Sequence, residues 1–234
     1  MQDARWLNHY KWDLVKAIKN QVRTILDPGS EFRKEEVLKP LWENHEHWPR
    51  MRQMISLGVD YPLEEVSPTD QKSDLEHMIK RGNHKSVLEN ENAKTLLKNY
   101  TAEVERGWML PLPVYCLRKL AGAVVIPVGV HTQSTIDEKG KRKVKRMITH
   151  DASFPPPSTH SVNNRLVCEL LTDCFYGHCM MRILHGIYIM QITQSLVHIL
   201  MLKIDLDSAY HHLHVALKMS LLTITIIKKI AYIM

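Results

Sequence analysis

Apolar positions along this chain recur in two different rhythms. Up to about residue 106 they return every three or four residues, the spacing of amphipathic helices. Beyond that point β-branched stretches alternate with proline and glycine breaks, the pattern of strands and turns. Residues 1–57 read as helical, with Asp27-Pro28-Gly29-Ser30 as a turn and a second helix from Ser30 or Glu31 that pauses at Pro40. Trp42, His45 and Trp48 lie three apart, a stripe expected to pack on a neighbouring helix, with base stacking as the alternative.

Gly58 to Ser67 reads as a linker. Ser67 is placed to cap a helix, with Pro68 at its first position, Asp70 three residues after the cap, and Gly82 as its stop. A further helix is expected from Lys85 to Arg106, closed by Gly107. Ala123 to Thr135 reads as a strand, Asp137-Glu138-Lys139-Gly140 as a turn, and Lys143 to Thr149 as the returning strand of a hairpin. Helical spacing follows from Arg165 to His185. Gly186 is expected to break it, with strands at Ile187–Ile192 and Leu196–Leu206. Leu217 to Met234 is apolar without a stop signal and reads as a degenerate or cut-short tail. The expected fold is therefore α/β of the α+β kind. Its parts are a helical region (1–57), a linker with helices (58–106), a mixed region (107–216) and the tail (217–234).

Composition narrows the partners. The 234 residues are 44% hydrophobic, enough for an ordinary globular core, and carry a formal charge of +6. That excess suits a polyanionic partner without requiring one. The opening residues are polar and amphipathic and lack a signal peptide's apolar middle, so an intracellular location in cytoplasm or nucleus, with reduced thiols, is expected. Polar residues Gln191, Gln194, Ser195 and His198 interrupt the most apolar run, and no membrane partner is expected. Cys168, Cys174, His178, Cys179 and His185 fit no zinc spacing and read as core thiols with nearby histidines.

Two stretches carry candidate chemistry. Asp205 ends the apolar run that leads to Leu206, and a carboxylate there is costly unless its charge is offset. Magnesium, which favours carboxylate and phosphate oxygens, offsets it. The bland alternative is an N-cap after a core strand. The second stretch is the hairpin. Its return is densely basic, with Lys139, Lys141, Arg142, Lys143, Lys145 and Arg146. Alternation puts Lys141, Lys143 and Lys145 on one face and Arg142, Val144 and Arg146 on the other. One face suits a nucleic-acid backbone, the other a triphosphate.

The spacing Asp205-Leu206-x-x-Ala209-Tyr210, followed by His211-His212, resembles the first palm motif of retrotransposon-type reverse transcriptases. Lys145-Arg146-Met147-Ile148-Thr149-His150-Asp151-Ala152-Ser153-Phe154-Pro155, with Ser158-Thr159-His160-Ser161-Val162-Asn163-Asn164 after it, resembles the fingers hairpin of the same family. The two cover roughly 107–216. The resemblance implies RNA-templated DNA synthesis, a template-primer and dNTP as substrates, and Mg2+ as the metal. It implies that Asp205 holds the metal and is the catalytic carboxylate. Leu206 would offer its backbone to the nucleotide and Tyr210 would sense the sugar. Lys145 and Arg146 would contact the nucleotide phosphates, Arg146 standing where the family keeps an arginine. His150 and Asp151 would position the hairpin.

The chain departs from the family pattern at one decisive point. No Asp or Glu follows Asp207, so the Tyr-x-Asp-Asp carboxylates of a two-metal site are not in this chain. The expectation is a truncated reverse transcriptase domain that is inactive alone, with the remainder of such a polymerase as a partner. The alternatives are a non-catalytic nucleic-acid-binding module built on the basic hairpin, and a helical scaffold that binds no nucleic acid.

Overall fold

The computed structural model of this chain describes residues 2–20, 35–136, 139–171, 179–194, 198 and 215–233. The elements are α1 (Gln2–His9), α2 (Leu14–Lys19), α3 (Glu35–Trp42), α4 (Trp48–Leu57), α5 (Pro68–Arg81) and α6 (Asn90–Glu105). They continue with β1 (Leu110–Pro113), β2 (Val128–Ile136), β3 (Arg142–His150), α7 (Cys179–Thr193), β4 (Thr225–Ile227) and β5 (Ile230–Ile233). The chain is thus a mixture of helix and sheet, as its two rhythms predict.

Local signals set several boundaries. The Ser67 hydroxyl accepts from the Asp70 N–H at 3.1 Å and starts α5, and Gly82 ends it at φ 72°, its N–H closing on the Met78 carbonyl at 3.0 Å. Asp13 caps α2 by accepting from the Lys16 N–H at 2.9 Å. Helix α3 ends two residues beyond Pro40 and buries nothing; of the aromatic stripe only Trp48 is buried, while Trp42 stays partly exposed with its ring edge-on to His45 at 5.6 Å.

The core is organised around a small antiparallel sheet in the order β1-β5-β4. Its strands are buried on both faces, and the side chains sort by alternation. Leu110, Leu112, Ile226, Ala231 and Ile233 face a cluster with Leu7, Leu14 and Ala17 of α1 and α2, and Leu75 and Met78 of α5. Ile227, Ile230 and Tyr232 face a second cluster with Leu96 and Tyr100 of α6 and Val128 and Val130 of β2. Tyr100 joins these parts: its ring meets Tyr232 edge-on at 5.0 Å, and its hydroxyl accepts from Thr225 Oγ1 at 3.0 Å. Burial pushes the Tyr100 phenol well above its ordinary range.

Four expectations are corrected here. The supposed tail contains the middle strand of the buried sheet, with Ile224 and Ala231 fully buried. Its apolar residues are continuous because both faces are covered, which a periodicity reading mistakes for decay. Ile187–Ile192 is not a strand; α7 runs across Gly186 to Thr193, since an apolar run this short does not declare helix or strand by itself. The helix expected from Arg165 is absent up to Leu171. Short turns at Asn163–Arg165 and Cys168–Leu170 stand there, and Val167 donates to the Pro62 carbonyl at 3.0 Å. The hairpin strand starts at Val128 rather than at residue 123. Pro127 has no N–H to give, and Val124 and Ile126 donate instead to the carbonyls of Leu221 and Ile224, at 2.8 and 2.9 Å.

The expected linker is also tied down. Ala216 donates to the Val59 carbonyl at 2.8 Å, and a Cβ on Gly58 would stand 2.6 Å from the backbone of Ala216, so only glycine fits there. Among the described residues no helix is long and apolar enough to cross a membrane. Cys116 is buried, whereas Cys168 is exposed and is not a core thiol. The expected strand Leu196–Leu206 lies outside the described residues except for His198, which is in no regular element, and Asp205, Leu206 and Tyr210 all lie outside them.

Candidate nucleic-acid interface

The basic hairpin is a two-stranded ribbon with one end in the core and the other in solvent. β2 and β3 pair antiparallel from Val128↔His150 to Ile136↔Arg142. Val128, Gly129 and Val130 are buried, and every residue of β2 beyond them is exposed. The reason is in the side chains: Val128 and Val130, with Ile148 opposite, have Leu96 and Tyr100 to pack on, while the polar run His131–Thr135 has nothing to gain from burial.

The root of the ribbon is fixed on several sides. The segment after α5 lies along the outer edge of β2. Val128 donates to Asn83 Oδ1 at 3.1 Å, Val130 donates to Ser86 Oγ at 3.1 Å, and the His84 N–H donates to the Val128 carbonyl at 3.0 Å. These contacts cover edge groups that would otherwise be open. On the β3 side, the Asp151 N–H donates to the Pro127 carbonyl at 2.9 Å and its carboxylate meets His84 Nε2 at 3.0 Å. The His150 ring stacks on Tyr100 with centroids 6.2 Å apart. His150 and Asp151 thus tie the ribbon to α6 and to the turn before it.

Register sorts the cations. Residues directly opposite share a face, so Val130, Thr132, Ser134 and Ile136 lie with Arg142, Val144, Arg146 and Ile148. His131, Gln133 and Thr135 lie with Lys143, Lys145 and Met147 on the reverse. The lysine face and the arginine face expected from alternation are therefore both present. All four side chains are exposed, and among the described residues no ion pair engages Arg142, Lys143, Lys145 or Arg146. Lys139 and Lys141 lie exposed beside the turn at Gly140.

The two arginines are oriented through their Nε atoms. Arg142 Nε donates to Ser134 Oγ at 3.0 Å, and Arg146 Nε donates to Asn92 Oδ1 at 3.1 Å. Both acceptors are neutral, so the positive charge is steered without being cancelled. The field of Arg146 is felt at Glu91: the Lys94 ammonium, 3.0 Å away, holds that carboxyl below its ordinary range, with Arg146 adding a smaller pull. Lys143 and Lys145 follow each other on the reverse face at about 6.8 Å along the strand.

Two participants are not legible from motif reading. Asn92 is buried in the first turn of α6, one turn before Leu96, and a polar residue inside an apolar stripe is the signal that marks it. His84 follows the helix stop at Gly82 and carries no pattern of its own.

The metal half of the expected site is not represented. Among the described residues no three His, Cys, Asp or Glu side chains converge on a metal-sized space. At the ribbon root the Asp151 carboxylate is engaged by His84. No family model, no curated protein and no solved structure matches this chain.

Proposed function

We propose that this chain carries the fingers and opening palm of a retroelement-type reverse transcriptase, and that its own property is to hold phosphates on the β2–β3 ribbon. The observation that carries this reading is the sorting of four cations into two faces of an anchored, solvent-projecting ribbon. The lysine face offers two point charges in a row to a nucleic-acid backbone. The arginine face offers planar guanidinium groups, whose fork matches phosphate oxygens. Backbone contacts of this kind are indifferent to base sequence. Magnesium, which the reading implies, would be held by Asp205, outside the described residues, and would supply positive charge to the nucleotide's phosphates.

Filter binding of a labelled single-stranded uridine oligomer, across about 50 to 200 mM salt, tests the reading. Two lysine–phosphate contacts give a slope of about −1.4 in log affinity against log salt, at ~0.7 per contact. A chain that retains no oligomer at the low-salt end overturns it.

A second reading, a binding module without chemistry, is favoured by one feature: the ribbon presents its sorted cations without a metal-sized carboxylate cluster among the described residues. Equilibrium binding of dTTP separates the two. Magnesium-dependent binding that is lost in Asp205→Ala supports a nucleotide site of polymerase type; oligomer binding without it supports the module. In either case no templated primer extension is expected from the chain alone, because one carboxylate strand does not supply the two-metal array.

A further inference from the structure

We infer that Asn92 is a positioning residue for Arg146, holding its guanidinium so that the outer edge meets a phosphoryl group of a bound nucleotide. The inference rests on the reading that the arginine face takes nucleotide phosphates. Asn92 is only 3% exposed, and its amide is held at both ends. Its Nδ2 donates to the Ser86 carbonyl at 2.9 Å and to Glu89 Oε2 at 2.9 Å. Those bonds fix which way the amide faces, and Oδ1 is left to accept from Arg146 Nε at 3.1 Å.

The chemistry of the acceptor matters. A carboxylate at this position would pair with Arg146 and remove the charge an anion needs. An amide oxygen orients the guanidinium and leaves the charge in place. The bond takes only Nε, so the two Nη nitrogens stay together on the far edge, the edge that grips two phosphate oxygens at once. The same network reaches the strand: Ser86, whose carbonyl holds the Asn92 amide, accepts from the Val130 N–H through its hydroxyl at 3.1 Å. The direction of Arg146 is therefore set relative to the root of its own ribbon, through α6. An arginine held in advance loses fewer rotamers on binding, which strengthens binding about fivefold.

The test is a double-mutant cycle on the full chain, with magnesium dTTP as ligand. Asn92→Leu keeps the volume and suits the apolar stripe; it is expected to weaken dTTP binding about fivefold and to have no further effect in an Arg146→Ala background. Uridine-oligomer binding through the lysine face is expected to stay unchanged, which checks the fold. Arg146→Lys leaves every bond within α6 intact and keeps the charge; it is expected to weaken dTTP binding at least as much as Asn92→Leu. Wild-type dTTP affinity in Asn92→Leu or in Arg146→Lys, with loss in Arg146→Ala, overturns the positioning role and leaves the nucleotide reading standing. Equal weakening by Asn92→Leu in both backgrounds overturns it as a merely structural effect. An Arg146→Ala chain that binds dTTP like the wild type overturns the reading and the inference together.

Discussion

Removing the lysine face is the sharpest perturbation of the ribbon. In Lys143→Gln/Lys145→Gln both side chains are exposed and outside any ion pair among the described residues, so folding stability is expected to stay within about 0.5 kcal/mol. Binding should respond strongly. Each lysine that neutralises a phosphate on a single strand releases counterions and adds ~0.7 to the salt slope. Two of them account for about 1.4, and at ~0.1 M salt that is a factor of about 25 in affinity. The assay is a filter-binding titration of a uridine oligomer at four or more salt concentrations. Lys218→Gln serves as the control, since Lys218 is already paired with Asp60 at 2.8 Å and neither residue belongs to the ribbon. The variant's line should be shallower than the wild type's and meet it near molar salt. Two parallel lines would refute the reasoning, because they would mean that whatever the lysines do, they do not displace counterions.

Tyr100→Phe deletes the acceptor for a fully buried Thr225 hydroxyl and is expected to cost about 1–3 kcal/mol in urea unfolding, with part recovered in Tyr100→Phe/Thr225→Val. Burial raises the Tyr100 pKa in the folded chain, so above about pH 10 the unfolded chain loses its proton first and stability falls with rising pH, by up to ~1.4 kcal/mol per unit; below that range Tyr100 adds no pH dependence. Melting curves between neutral pH and the alkaline limit should show a shallower decline in Tyr100→Phe than in the wild type, and equal declines would count against the assignment. Lys228 holds φ 57° in the two-residue turn between β4 and β5, a left-handed conformation that disfavours a Cβ; Lys228→Gly is expected to raise stability by about 1 kcal/mol, read from the urea midpoint. Ile224→Ala, in the apolar stretch whose pattern reads as a degenerate or cut-short tail, is expected to cost about 2–5 kcal/mol, and a loss under 1 kcal/mol would show that this segment is not core.

The ribbon illustrates how far local pattern reaches. Alternation along Lys141 to Arg146 requires that lysines and arginines separate onto two faces in any antiparallel pairing, because side chains of a strand point alternately up and down. The turn at Gly140 and the β-branched flanks announce the hairpin in the same local way. Capping of α5 by Ser67 and its stop at Gly82 are likewise written within one helical turn of chain. These are short-range constraints, and they hold whatever the rest of the molecule does.

What neighbours in space decide is not in that pattern. Residues 217–233 and 187–192 are both apolar runs; one supplies the middle strand of a sheet covered on two sides and the other lies in an exposed helix, and only the partners each finds distinguish them. The stretch before Pro127 reads as strand and does pair, but with residues 221–224, nearly a hundred positions away. Asn92 becomes informative only when its amide is seen bridging α6 to Arg146 across more than fifty residues. The sequence by itself determined the hairpin, its charge and the sidedness of that charge, because these follow from the geometry of a single strand. The tertiary structure alone decided which end of the hairpin is anchored, that Asn92 holds Arg146, and that the closing apolar segment is core, because burial and hydrogen-bond partnership are properties of pairs of distant residues.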